Sequence, residues 1–172
     1  MRTQLHKSIL ALFALGAMCW AGFNSSALAG GLKVGDTLPD LTTFKLEGQL
    51  PDALKGKVVL LDFWASWCDP CKESFPIMDE LQKQYGSKGL VIIAVNVDEN
   101  RADMEGFLKK HTASFTVVHD AKQKLVAAAG ISTMPSSFLV DPSGKVRFAH
   151  SGFRGEETTK EYRQEIESLL KK

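Results

Sequence analysis

Two cysteines stand two residues apart directly behind an apolar run. The run is Val58-Val59-Leu60-Leu61-Asp62-Phe63-Trp64, followed by Ala65-Ser66-Trp67-Cys68-Asp69-Pro70-Cys71-Lys72. A Cys-x-x-Cys between a strand and a helix is a dithiol–disulfide redox unit when it sits in a βαβ setting. Two blander chemistries compete with it, a structural disulfide and half of a zinc site. Zinc needs about four ligands, and the sequence offers no second cysteine pair to supply them.

The position gives each residue an expected role. Cys68 is the candidate nucleophile. At a helix N-terminus the free backbone N–H groups and the helix dipole favour a thiolate, the form that attacks a disulfide. Cys71 lies one turn further in on the same face. It is expected to be more buried and to act as the resolving thiol. Buried thiols resist ionisation, so Cys71 needs a base. Asp62 is the candidate, because a carboxylate inside a buried strand is unfavourable without a use or a partner, and burial moves its pKa toward neutrality. The alternative places Asp62 at a strand edge, paired with Lys57 or another cation. Asp69 and Pro70 are read as tuning residues. Asp69 raises the Cys68 pKa, and Pro70 starts the helix where no N–H is needed. Trp67 is read as a shield for Cys68 and a platform for clients, and Trp64 as core.

These residues need a frame, and the chain of 172 residues is the length of one domain. Residues 1–29 are set apart from it. Arg2 and Lys7 form a basic start, Ile9 to Phe23 are almost wholly apolar, and Asn24 to Ala29 end in Ala-Leu-Ala. This is the pattern of a secretory signal peptide, with cleavage expected after Ala29 and the folded domain over 30–172. A membrane anchor facing the periplasm is the alternative. The apolar run of about 15 residues is shorter than the ~20 that a spanning helix needs. Removing the segment takes Cys19 with it and leaves Cys68 and Cys71 as the whole thiol inventory, in a compartment that permits disulfides. It also removes Arg2 and Lys7 from 21 basic residues, leaving 19 against 20 acidic ones. That balance gives no electrostatic case for nucleic acid or a membrane surface as a partner.

Along the domain, Leu41 to Leu46 alternates and reads as a strand, with Glu47-Gly48 as a turn into a returning arm, an N-terminal hairpin. Val58 to Phe63 reads as a central strand buried on both faces. Phe75, Ile77, Met78, Leu81 and Tyr85 follow helical spacing up to Gly86, with Pro76 inside. Leu90 to Val97 is a second buried strand, so the unit is βαβ with a parallel pair. Asp98-Glu99-Asn100 is expected to cap a helix over 101–111. A strand over 115–118, a short helix over 122–129, strands over 136–140 and 145–150 joined by Asp141-Pro142-Ser143-Gly144, and a helix over 156–172 complete the order. The expected architecture is α/β, a central mixed sheet with helices on both faces. His111, His119 and His150 fall at element ends and are read as surface residues. No metal site is expected.

Trp67-Cys68-Asp69-Pro70-Cys71-Lys72 with Asp62-Phe63-Trp64-Ala65 resembles the thioredoxin superfamily. The extra segment Ile92 to Asp98, then Thr133-Met134-Pro135-Ser136-Ser137-Phe138-Leu139-Val140-Asp141 and Gly144-Lys145-Val146, narrow the likeness. Together they resemble the TlpA/ResA-like thiol–disulfide oxidoreductases, grouped with the redoxin and AhpC/TSA families, over about residues 33–172. The resemblance implies a thioredoxin-like fold with an inserted βα element and a periplasmic protein that reduces protein disulfides. It further implies a membrane thiol-electron donor, a link to cytochrome c maturation, and no cofactor beyond the Cys68–Cys71 disulfide. It makes Pro135 a cis-proline facing the cysteines, with Met134 holding an extended client strand through its backbone. Asp62 matches the buried aspartate of thioredoxin. Cytochrome-maturation members commonly carry a glutamate three residues after the second cysteine, where this chain has Ser74. A monomer is expected. A thiol oxidase or isomerase, and a non-catalytic metal- or protein-binding module, are the rival functions. The spacing departs from the Cys-x-x-x-Cys of copper chaperones and lacks the Pro-x-x-x-Thr of peroxiredoxins.

Overall fold

A computed structural model describes residues 30–171; the signal segment expected over 1–29 lies outside them. Five strands form one sheet: β1 (Val58–Trp64), β2 (Leu90–Asn96), β3 (Thr116–His119), β4 (Ser136–Val140) and β5 (Val146–Ser151). Their spatial order is β3-β2-β1-β4-β5. β1 is parallel to β2 and β2 to β3, while β4 runs antiparallel to both β1 and β5. The helices are α1 (Asp69–Tyr85), α2 (Arg101–Leu108), α3 (Lys124–Ala128) and α4 (Glu156–Leu170).

Every residue of β1 is buried, so both faces of the central strand are covered. Parallel β1–β2 and β2–β3 connections cross over right-handed, which puts α1 and α2 on one face. Trp64 packs there against Phe75 of α1 and Phe107 of α2, with ring centroids 4.7 Å and 4.6 Å away. α4 shares that face. Its Glu167 accepts a 2.7 Å hydrogen bond from Tyr85 of α1. The opposite face carries Phe63, edge-on to Phe138 of β4 at 6.3 Å. The extra segment expected over Ile92 to Asp98 is β2 and its exit; the βα element that follows it is α2 with β3.

The N-terminal hairpin does not form. Leu41–Phe44 is a turn of 3-10 helix, and Lys45 follows it in the left-handed region at φ 56°. The cause is Asp40, whose carboxylate accepts from the Thr42 N–H at 3.0 Å and the Thr42 hydroxyl at 2.7 Å. Such side-chain bonds give the backbone an alternative to a sheet ladder. The N-terminal segment meets the sheet instead at two isolated bridges, Thr37 with Lys145 and Glu47 with His119. Gly35 and Asp36 also bond the backbone of Val146, and Leu38 bonds Gly144. The first helix ends where expected, with Gly86 as its C-cap; Gly86 stays right-handed and opens a 3-10 turn (Gly86–Lys88), which Gly89, at φ 111°, ends.

Candidate functional site

The register of the sheet builds the site. β1 and β2 run in parallel and end level, Trp64 beside Asn96. Their following loops, 65–68 and 97–100, therefore emerge side by side. β4 begins beside the same end, with Ser136 opposite Phe63, so Met134 and Pro135 arrive from the other flank. The Met134–Pro135 peptide is cis.

Cys68 and Cys71 form a disulfide with Cα atoms 5.3 Å apart. Cys68 is the N-cap of α1 in extended conformation, and its Sγ accepts from the Cys71 N–H at 3.2 Å. Its carbonyl accepts from the amides of Cys71 and Lys72. The Cys68 sulfur therefore lies at the helix N-terminus, sharing the Cys71 N–H with its own carbonyl, a setting that favours the thiolate once the disulfide is reduced. Cys68 is 4% exposed and Cys71 0%. Asp69 and Pro70 occupy the first turn. Asp69 is ion-paired to Lys72 at 2.6 Å, and that hydrogen bond and charge hold its carboxyl below the usual range. Lys72 thus offsets part of the field that Asp69 would impose on a Cys68 thiolate, a compensation not evident from Asp69 alone. Ser74 is buried, its hydroxyl donating to the Cys71 carbonyl at 3.1 Å.

Asp62 is fully buried, and neither carboxylate oxygen has a hydrogen-bond partner. The pairing with Lys57 considered from sequence does not exist. Burial alone pushes its pKa well above the ordinary carboxylate range. Residues i and i+2 of a strand share a face, so Asp62 lies on the face of Trp64, beneath α1 and α4. Trp67 is 68% exposed, whereas Trp64 is core. Trp67 and Met134 line one groove of about 560 Å³ together with Val97, Asp98, Val126 and Ile131. Among the described residues, no internal hydrogen bond takes up the Met134 N–H or carbonyl, while the Pro135 carbonyl accepts from Gly152 at 2.7 Å.

Asp98 was expected to cap α2; instead it grips the redox loop. Its two oxygens accept from the Ser66 N–H, each at 3.1 Å, and the Ser66 hydroxyl adds a third contact at 3.1 Å. Asn96 Nδ2 donates to it at 2.9 Å, and the Asn96 side-chain oxygen accepts from the Asp98 N–H. A buried carboxylate satisfied in this way fixes the loop two residues before Cys68. Asp98→Ala strips these donors of their acceptor and is expected to destabilise the oxidised protein by about 1–3 kcal/mol, read from urea denaturation; a midpoint equal to wild type would remove the clamp. Two histidines also depart from the surface reading. His119 is buried, its Nε2 2.8 Å from the Asp98 carbonyl. His150 lies under α4, its Nε2 2.7 Å from Glu165. The sequence signal for Asp98 and Ser66 is only their place in loops that a parallel pair brings level.

Comparison with known proteins agrees with this geometry. The Redoxin family model matches residues 33–166. The thiol-disulfide oxidoreductase ResA of Geobacillus thermodenitrificans is 36% identical over 161 residues, covering 92% of this chain and 91% of that one. ResA of Bacillus thuringiensis is 37% identical over 144 residues, covering 82% and 79%. A Chlorobium tepidum crystal structure assigned as the thiol:disulfide interchange protein DsbE superposes with TM-score 0.74 at 39% identity, covering 81% of this chain and 99% of that one. StoA of Bacillus subtilis gives TM-score 0.56 at 31% identity, covering 63% and 84%.

Proposed function

The chain belongs to the Redoxin family as a ResA-like thiol–disulfide oxidoreductase, and from that premise we propose that it reduces protein disulfides in the periplasm. The observation that carries this reading is the Cys68–Cys71 disulfide at the N-terminus of α1, beside a groove walled by Trp67 and Met134.

The reduced pair attacks through the Cys68 thiolate. Its sulfur bonds one sulfur of the client disulfide, and the other leaves as a thiolate. Cys71, deprotonated by Asp62, then attacks the Cys68 sulfur and frees the client's second thiolate. Two electrons have passed to the client, and the Cys68–Cys71 disulfide remains. The free backbone groups of Met134 receive the client as an extended strand, a form of β-addition, with Trp67 as platform. Asp69, offset by Lys72, and Pro70 tune the pair. A membrane dithiol returns two electrons to close the cycle. The tripartite pattern of residues 1–29 supports export; among the described residues no helix is long and apolar enough to cross a membrane. The family resemblance supports apocytochrome c disulfides as clients, and Ser74 in place of glutamate weighs toward a broader client range.

Direction is set by potential against the compartment. The Cys68/Cys71 couple is expected near the thioredoxin value of about −270 mV, measured by equilibration with a glutathione or dithiothreitol buffer. A value near −120 mV marks an oxidase and overturns the reductant reading.

A further inference from the structure

A polar row crosses the otherwise apolar face of the sheet beneath α4. Asp62 of β1 stands opposite Ser137 of β4, and Ser137 opposite His150 of β5. Directly opposed residues point to the same face, with Cβ atoms about 4.5–5.5 Å apart. One step along, the pair on that face is Leu60 with Leu139. The polar groups are thus confined to one level, and α4 lies over it. Tyr162 places its hydroxyl 2.8 Å from Ser137 Oγ, a bond in which either atom is able to donate. Its ring stands edge-on to His150 at 5.1 Å. Beyond it, Glu165 and Glu161 meet the two ring nitrogens of His150 at 2.7 Å and 3.5 Å. Exposure rises along the row. Asp62, Ser137 and Tyr162 are closed to solvent, His150 is 10% exposed and Glu161 35%.

This arrangement bears on a problem that the reading of Asp62 as the base for Cys71 creates, and the inference rests on that reading. A buried carboxylate that no protein group hydrogen-bonds has to return its proton between cycles. We infer that Asp62 exchanges its proton with solvent through the hydroxyl pair of Ser137 and Tyr162, with the exit at His150 and Glu165 on the β5 edge. As the structure stands only the Ser137–Tyr162 link is hydrogen-bonded; side-chain rotation closes the other two, after which protonated Asp62 gives its proton to the Ser137 hydroxyl, Ser137 releases its own to Tyr162, and Tyr162 releases one toward the His150–Glu165 pair. Each hydroxyl gains a proton as it loses one, so neither becomes charged, the Asp62 carboxylate is regenerated, and no electrons move. The phenol is kept neutral for this role, because burial and then the nearby Asp62 charge push its pKa well above the ordinary value. The groups facing the row are Asp62 and Ser137 from the central strands, His150 from β5, and Tyr162, Glu161 and Glu165 from α4; α1 on the same face carries buried Cys71.

The test separates two steps with a disulfide-bonded reporter peptide: attack by Cys68, and resolution by Cys71 followed through regeneration of the protein disulfide. Both are measured across the neutral range in water and in heavy water. Tyr162→Phe and Ser137→Ala each are expected to slow resolution about tenfold and enlarge its solvent isotope effect, with attack at the wild-type rate. Wild-type resolution in both variants overturns the path, and so does equal slowing of attack and resolution, which marks a packing defect. Asp62→Asn belongs in the same series. If it slows resolution while the hydroxyl variants do not, the path fails and the base stands. If Asp62→Asn also resolves at the wild-type rate, the reading of Asp62 fails and takes the path with it.

Discussion

Cys71→Ser is expected to leave a protein that attacks a client disulfide and cannot let it go. The Cys68 sulfur keeps its place at the N-terminus of α1, where backbone N–H groups stabilise its thiolate. A serine hydroxyl at 71 does not displace a thiol from a disulfide at neutral pH. The mixed disulfide should therefore accumulate in a one-to-one complex, visible on a non-reducing gel and by mass. Multiple-turnover insulin reduction should fall by roughly two orders of magnitude or more. Cys68→Ser should lose turnover equally and trap nothing, because the remaining thiol is closed to solvent. The asymmetry is the informative part. Trapping by both variants would show that either sulfur reaches clients, and turnover that survives both substitutions would remove the redox reading altogether.

Asp62→Asn should have two separable consequences. With the reduced protein, resolution at neutral pH should slow by about ten- to a hundredfold, with the attack step intact. With the oxidised protein, where no Cys71 thiol exists, the same substitution should stabilise the fold. Burial raises the folded-state pKa of Asp62 above the value of about 3.9 that an unfolded chain shows. Below that value the carboxyl is protonated in both states and exacts no penalty. As pH climbs past it, the unfolded chain ionises freely while the folded chain holds its proton. Stability then falls with pH until the folded pKa is passed. Asparagine removes that dependence. The variant should gain on wild type from about pH 4 upward, the gap widening as pH rises toward the folded pKa, read from denaturant midpoints at several pH values. Parallel curves for the two proteins would mean that Asp62 is not held as the structure holds it.

The parts of this fold written in local sequence were readable. The Val58–Trp64 run, the Cys-x-x-Cys behind it and the Ser136–Val140 strand are each announced by a few adjacent residues, and the central strand is buried throughout. What escaped depends on contacts between distant segments. Leu41 to Leu46 alternates as a strand does, yet the Asp40 carboxylate bends it into a 3-10 turn. Asp98 looks like a helix cap until the parallel register sets it beside Ser66, 32 positions earlier. His150 ends a strand in sequence but is covered by α4, whose Glu165 it meets. Asp62 was recognisable as an anomaly within the apolar run. Its neighbours Ser137 and Tyr162 carried no sign, because an isolated serine and tyrosine are ordinary until the sheet and α4 align them.

The N-terminal segment that failed to become a hairpin has a consequence at the margins of the sheet. Glu47 exchanges two backbone hydrogen bonds with His119, on the outer side of β3, at 2.8 and 2.9 Å. Gly35 and Asp36 take up the outward amide and carbonyl of Val146, at the opening of β5. β3 and β5 are the two end strands of the sheet, so one stretch of chain blunts both. Unpaired edges template strand addition and aggregation. A protein that takes up extended clients, as proposed for this one, is especially open to that hazard. If Met134 receives the client as proposed, bridging the rim at His119 and Val146 favours pairing there over unproductive pairing at those edges.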